Sequence, residues 1–143
     1  MLFAGEIAAK PRTEIVLSPL HIALVAAGGA LGSVLRYAFG IAATRLLGPN
    51  LPFGTFGVNV IGSFVMGVFI GLWALKFSGT EAVRLFVAVG LLGGFTTFSS
   101  FSLDAVTLYE RGAMATAAGY VVGSVILSLA ALFAGLSLAR ALA

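Results

Sequence analysis

Residues 113 to 139 run for 27 positions without a formal charge. About 20 such residues cross the hydrocarbon core of a bilayer as a helix, so this run fixes the class of fold. It is longer than a perpendicular crossing needs, which implies tilt or an end outside the hydrocarbon. Three more apolar stretches precede it. The expected spans are residues 19–46, 54–75, 82–108 and 113–139. The connections carry the breakers: Gly48-Pro49-Asn50-Leu51-Pro52, then Ser78-Gly79-Thr80, then Glu110-Arg111-Gly112. Two prolines and a Gly-Pro step cannot continue a helix. Residues 1–18 form a polar tail with Glu6, Lys10, Arg12 and Glu14. The tail and the apolar run after it resemble a secretory signal, but that run is longer than a signal core, so a retained first span is expected.

Composition agrees. Of 143 residues, 60% are hydrophobic and 9% are charged, against about a quarter charged in ordinary soluble domains. The ten-residue alternation of an outer-membrane barrel is missing. The expected fold is an all-α membrane protein with four transmembrane helices in one domain, residues 19–143. With no cysteine, disulfides, thiol catalysis and cysteine metal sites are excluded. His21 opens the first span and reads as an interfacial residue. Lys10, Arg12, Lys76, Arg84 and Arg140 fall on one side of a four-span topology, and Arg45, Arg111 and the nearby Arg36 on the other. That is a modest bias toward an inside N-terminus, compatible with insertion in both orientations.

The third span is the irregular one. Residues 85 to 103 are uncharged, yet Gly93-Gly94-Phe95-Thr96-Thr97-Phe98-Ser99-Ser100-Phe101-Ser102 packs five hydroxyls and a glycine pair into ten positions. Each glycine weakens a helix by about 1 kcal/mol against alanine. Unwound backbone at membrane depth survives only in protein or against a wet cavity. A broken third helix is therefore expected, and the stretch reads as a site.

Other polar groups sit at helical spacing. Thr55, Asn59 and Ser63 share one face of the second span. Asn59 is either a helix–helix hydrogen bond or a donor facing a pore. Tyr120, Ser124 and Ser128 form a stripe on the fourth span. A lone serine ordinarily bonds back to its own helix; three polar groups in register suggest a lined path. Phe98 and Phe101 are three apart and can face one way, and aromatic edges are weak donors toward an anion. Gly28/Gly32, Gly67/Gly71, Gly90/Gly94 and Gly119/Gly123 have the spacing of close helix packing. A carboxylate pair, a Ser-His-Asp set and a metal-ligand cluster are all missing, so an enzyme is not expected. Neutral donors suit a small, hard anion. Asp104 is the one carboxylate inside the apolar runs.

These residues resemble the Fluc (CrcB) family of fluoride channels. The resemblance is carried by residues 28–37 (GGALGSVLRY), Gly54-Thr55-Phe56-Gly57-Val58-Asn59, the 93–102 stretch, and Gly119-Tyr120 with Ser124, and covers about residues 22–140. It implies an antiparallel, dual-topology homodimer with two fluoride pores and passive efflux of cytoplasmic fluoride. It places the protein in a bacterial or archaeal plasma (inner) membrane. It implies a structural Na⁺ at the dimer interface, held by the carbonyls of Gly93 and Thr96. Thr55, Asn59, Phe98, Ser100, Phe101, Tyr120, Ser124 and Ser128 correspond to the fluoride path, and Arg36 to its aqueous mouth. Asp104 departs from the family, where glutamate is expected. Two rivals remain: a dual-topology exporter of small organic cations, which needs an intramembrane carboxylate, and a scaffold that only assembles through its glycine faces.

Overall fold

The computed structural model describes residues 18–76 and 80–142, so the tail expected over residues 1–18 lies almost wholly outside the described residues. The described residues form helices and turns, with no strand among them. Helix α1 is Pro19–Leu47 and α2 is Phe53–Lys76. The third span, α3, covers Glu81–Glu110, and α4 is Met114–Leu142. All four are long and apolar enough to cross a membrane.

Local chemistry sets the ends. Pro19 occupies the first turn of α1, where its missing N–H is not needed. Gly48 stops α1 at φ +83°, with its N–H bonded to the Thr44 carbonyl at 3.0 Å. Gly112 turns the chain between α3 and α4 at φ +77°. Both positions lie where a Cβ would be strained.

Two helix pairs make the molecule: α1 packs along the first half of α3, and α2 packs along α4. Glycines set both contacts. A Cβ on Gly28 would meet the Phe86 carbonyl, and one on Gly32 the Leu91 carbonyl. Gly67 and Gly135 face each other, their neighbours' carbonyls closing over both. In lipid, helices associate through such packing because the hydrophobic effect between them is lost. Within the single subunit the fourth pair packs against nothing. At Gly119 and Gly123 nothing lies within 4 Å of where a Cβ would stand, and α4 uses Gly135 and Ala139 instead. Three-four spacing marks a smooth helix face but does not say which face meets a neighbour.

We expect Gly32→Val to lower the midpoint of thermal aggregation in detergent by at least several degrees. Its branched side chain has only backbone to displace, and overpacking costs about 1–3 kcal/mol or more. Gly119→Val, at an open position, should leave the isolated subunit's helix content unchanged by circular dichroism. Equal damage from both would remove glycine contact as the cause.

Little of each span is covered. Between 11% and 22% of each span's most apolar window is buried. Val58 and Ala139 are the fully buried apolar residues at 0% exposure. The large apolar residues Val34, Leu35, Ile126, Leu129 and Phe133 stand exposed, as a lipid-facing surface requires.

The backbone of α3 changes form along its length. Glu81–Arg84 is α-helical, and Leu85–Leu92 winds as a wider π-helix. Gly93–Phe95 returns to α geometry. Thr96 (φ −83°, ψ 158°) and Thr97 (φ −155°, ψ 119°) are extended, and Phe98–Glu110 is helical again.

Candidate pore and its extended residues

Asn59 holds the two extended residues. Its Oδ1 accepts from the Thr97 N–H at 2.8 Å, and its Nδ2 donates to the Thr97 carbonyl at 3.0 Å. Both ends of one amide are thus spent on one residue's backbone. Thr97 then caps the following helix: its Oγ1 accepts from the Ser100 N–H at 3.2 Å and donates to Ser100 Oγ at 3.2 Å. That is the ordinary N-cap bond. On the upstream side, the Thr96 N–H and Oγ1 both donate to the Leu92 carbonyl, at 3.0 and 2.9 Å.

These bonds have a consequence for two carbonyls. In a continuous helix the Thr97 N–H would serve the Gly93 carbonyl, and the Ser100 N–H the Thr96 carbonyl. Side chains take both N–H groups instead. The Gly93 and Thr96 carbonyls therefore lose their helical partners. Arg36 donates from Nη1 to the Thr96 carbonyl at 3.4 Å, a long and weak bond. Arg36 is thus beside the extended residues; it is not among the residues lining the large cavity at the α1–α2 loop.

The eight expected path residues do not share one cavity. Asn59, Phe98, Phe101, Ser124 and Ser128 line one cavity of about 300 Å³, together with Gly62, Ser63, Met66, Thr96 and Thr97. Thr55 and Asp104 line a second cavity, of about 690 Å³, at the end of the spans. Tyr120 connects the two levels. Its hydroxyl donates to Asp104 Oδ2 at 3.3 Å, and its ring lies 5.4 Å from Phe101. The Phe101 ring is in turn 5.4 Å from Phe98. Ser100 lines neither cavity; its N–H donates to Thr97 Oγ1 and its hydroxyl oxygen accepts from the same group.

Within the smaller cavity the polar atoms are unequal. The amide of Asn59 is committed to backbone. The Ser124 hydroxyl, on a residue 4% exposed, makes no hydrogen bond of good geometry, and its polar neighbour is the Tyr120 hydroxyl. The ordinary escape, a bond to the carbonyl four residues back, is not taken. Phe101 is buried at 8% and Phe98 is exposed at 77%, so the aromatic pair runs from inside to outside.

Thr97 is a site residue that the sequence reading misses. A threonine directly before a helix is the N-cap signal, but it lies among five hydroxyls that dilute the signal. No pattern of spacing points from Asn59 to Thr97, which are 38 positions apart. Among the described residues no three His, Cys, Asp or Glu side chains could hold a metal. A cation here would rest on backbone oxygens.

Known proteins are similar to this chain in sequence. The family model described as "CrcB-like protein, Camphor Resistance (CrcB)" matches residues 23–136. A protein of Agrobacterium fabrum named fluoride-specific ion channel FluC is 54% identical over 121 residues, covering 85% of this chain and 97% of the relative. Relatives of the same name from Rhizobium etli and Mesorhizobium japonicum are 56% and 52% identical, covering 83% and 85% of this chain and 95% and 98% of themselves. The homologues are named ion channels, not enzymes. With a family match across most of its length and relatives above half identity, the chain belongs to the CrcB-like family.

Proposed function

We propose that this protein is a fluoride-selective channel that lets cytoplasmic fluoride leave the cell passively, through a path from Thr55 to Ser128. The observation that carries the reading is that Ser124 and Ser128 line one cavity with Phe98 and Phe101. A small anion entering lipid depth must exchange its water for donors. Hydroxyls at Ser124 and Ser128 and the positive ring edges of the two phenylalanines supply them without a fixed positive charge that would trap the ion. A membrane potential of 100 mV, negative inside, favours departure of a monovalent anion by about 2.3 kcal/mol.

The two extended residues divide the third span into two helices, and the division serves both its faces. The side-chain face gives Phe98 and Phe101 to the path. The backbone face offers two carbonyls without helical partners, Gly93 and Thr96, which fit a hard monovalent cation. Two subunits related by a twofold axis would give four such oxygens around one Na⁺, which would supply a fixed charge tying the subunits together. Phe98, exposed at 77% on the edge of the 300 Å³ cavity, supports a second copy as its cover. The Lys and Arg bias about the four spans, five against three, is weak enough to be compatible with an antiparallel dual-topology homodimer, with a path in each half. The bacterial relatives support an inner-membrane location.

Proteoliposomes loaded with fluoride and chloride test this. Fluoride should be released within seconds and chloride retained, with release weakened when Na⁺ is replaced by a bulky organic cation. Equal leakage of both anions ends the selectivity claim. Uptake that needs a proton or cation gradient would favour the exporter reading, with Asp104 as its carboxylate.

A further inference from the structure

We infer that the 690 Å³ cavity between the α1–α2 loop and the α3–α4 turn is an anion-capture site, with Arg45 and Arg111 as its charged groups and small hydrated inorganic anions as its ligands. The inference rests on the channel reading for what becomes of the captured ion, though not for the capture itself.

Charge decides it. Three charged side chains line the cavity: Arg45, Arg111 and Asp104. Two positive and one negative leave a formal +1. Four helix ends meet at this level. The carboxyl ends of α1 and α3 each bring about −0.5 of a charge, and the amino ends of α2 and α4 each about +0.5, so they cancel. The side chains therefore set the sign. Glu110, beside Arg111, is exposed and outside the lining. Neither guanidinium forms an ion pair among the described residues. Thr55 lies in the same lining, and Asp104 there accepts from Tyr120, so captured ions collect at the start of the proposed path. A positive cleft with low-dielectric walls raises the local concentration of anions.

The bland alternative is that both arginines only neutralise helix carboxyl ends and anchor the membrane interface. The two roles differ in salt dependence. Neutralising both arginines reverses the cavity's formal charge from +1 to −1, an effect that reaches about 30 Å at 0.01 M ionic strength and about 3 Å at 1 M.

The chain has no cysteine, so Asn50→Cys places a single thiol in the cavity lining. Anionic sulfonatoethyl and cationic trimethylammonioethyl methanethiosulfonates then probe the local potential in the full-length protein. In Asn50→Cys alone, at low ionic strength, the anionic reagent should be favoured relative to its ratio on a free thiol. Adding Arg45→Gln and Arg111→Gln should lower that ratio about tenfold, and 1 M salt should erase the difference. Fluoride efflux by the double variant should fall several-fold at low ionic strength only. A ratio that does not move, or moves equally at both salt concentrations, overturns the capture site. A ratio that moves in a protein that releases no fluoride keeps the capture site and ends the channel reading.

Discussion

Asn59→Ala is expected to reduce fluoride efflux from proteoliposomes by at least about a hundredfold. The substitution removes both hydrogen bonds to the Thr97 backbone. Thr97 is itself only 8% exposed, so its N–H and carbonyl have little water to turn to. Each buried backbone group left unpaired costs about 1–3 kcal/mol. Two such losses exceed what the extended conformation can absorb, and the cheapest repair is for the Thr97 N–H to return to the Gly93 carbonyl. That repair rebuilds a helical turn across Thr96 and Thr97. It would withdraw the Gly93 carbonyl from any cation and swing Phe98 away from Phe101. A change of about 2.8 kcal/mol is a hundredfold in an equilibrium.

Asn59→Asp separates this account from simple loss of a pore-facing donor. A carboxylate keeps an acceptor for the Thr97 N–H but cannot donate to the Thr97 carbonyl, and it brings a negative charge near the path. Efflux should stay low while the purified protein keeps its oligomeric state on size exclusion. Asn59→Ala should weaken that state. If Asn59→Ala conducts as the unaltered protein does, the amide does not hold the path open.

How far the residues announce this can be argued position by position. The four helices are legible because apolar runs of 20 or more residues have one stable answer in lipid. The 93–102 stretch is legible as exceptional because glycine pairs and dense hydroxyls oppose helix in that setting. Its dihedrals depart from helix at two residues, Thr96 and Thr97, neither of them glycine. Gly94 serves packing instead, lying against the Gly29 backbone. The reason is that the departure is imposed from outside the segment, by Asn59. Long-range pairing of this kind has no periodicity to betray it. The π-helical turns of Leu85–Leu92 are equally silent in sequence, since nothing distinguishes those apolar residues from an α-helical run. Arg36 shows the same limit. Its position at the C-terminal part of the first span suggests water, and its guanidinium reaches the Thr96 carbonyl across 60 positions of chain. How the Tyr120, Ser124 and Ser128 stripe spends its hydroxyls depends on neighbours: Tyr120 donates to Asp104, and Ser124 makes no hydrogen bond of good geometry.

Ser124→Ala follows from that difference and should leave stability unchanged while slowing transport. The hydroxyl makes no hydrogen bond of good geometry to the protein and sits on a residue 4% exposed, so the fold draws little from it. Removing it should cost the fold nothing measurable, and the small methyl leaves little void. The purified protein without fluoride should therefore unfold at the same temperature as the unaltered chain. Transport should suffer. A hydroxyl donated to an anion is worth about 1.5–3 kcal/mol, so losing it should slow fluoride efflux about 10- to 100-fold. Ser124→Thr keeps the donor and should recover most of the rate, unless its extra methyl crowds the 300 Å³ cavity. A purely structural serine would show the reverse pattern, with lower stability and unchanged flux. The coupling of the two readouts makes the test specific. A serine that serves the ion rather than the fold predicts this split between the two readouts.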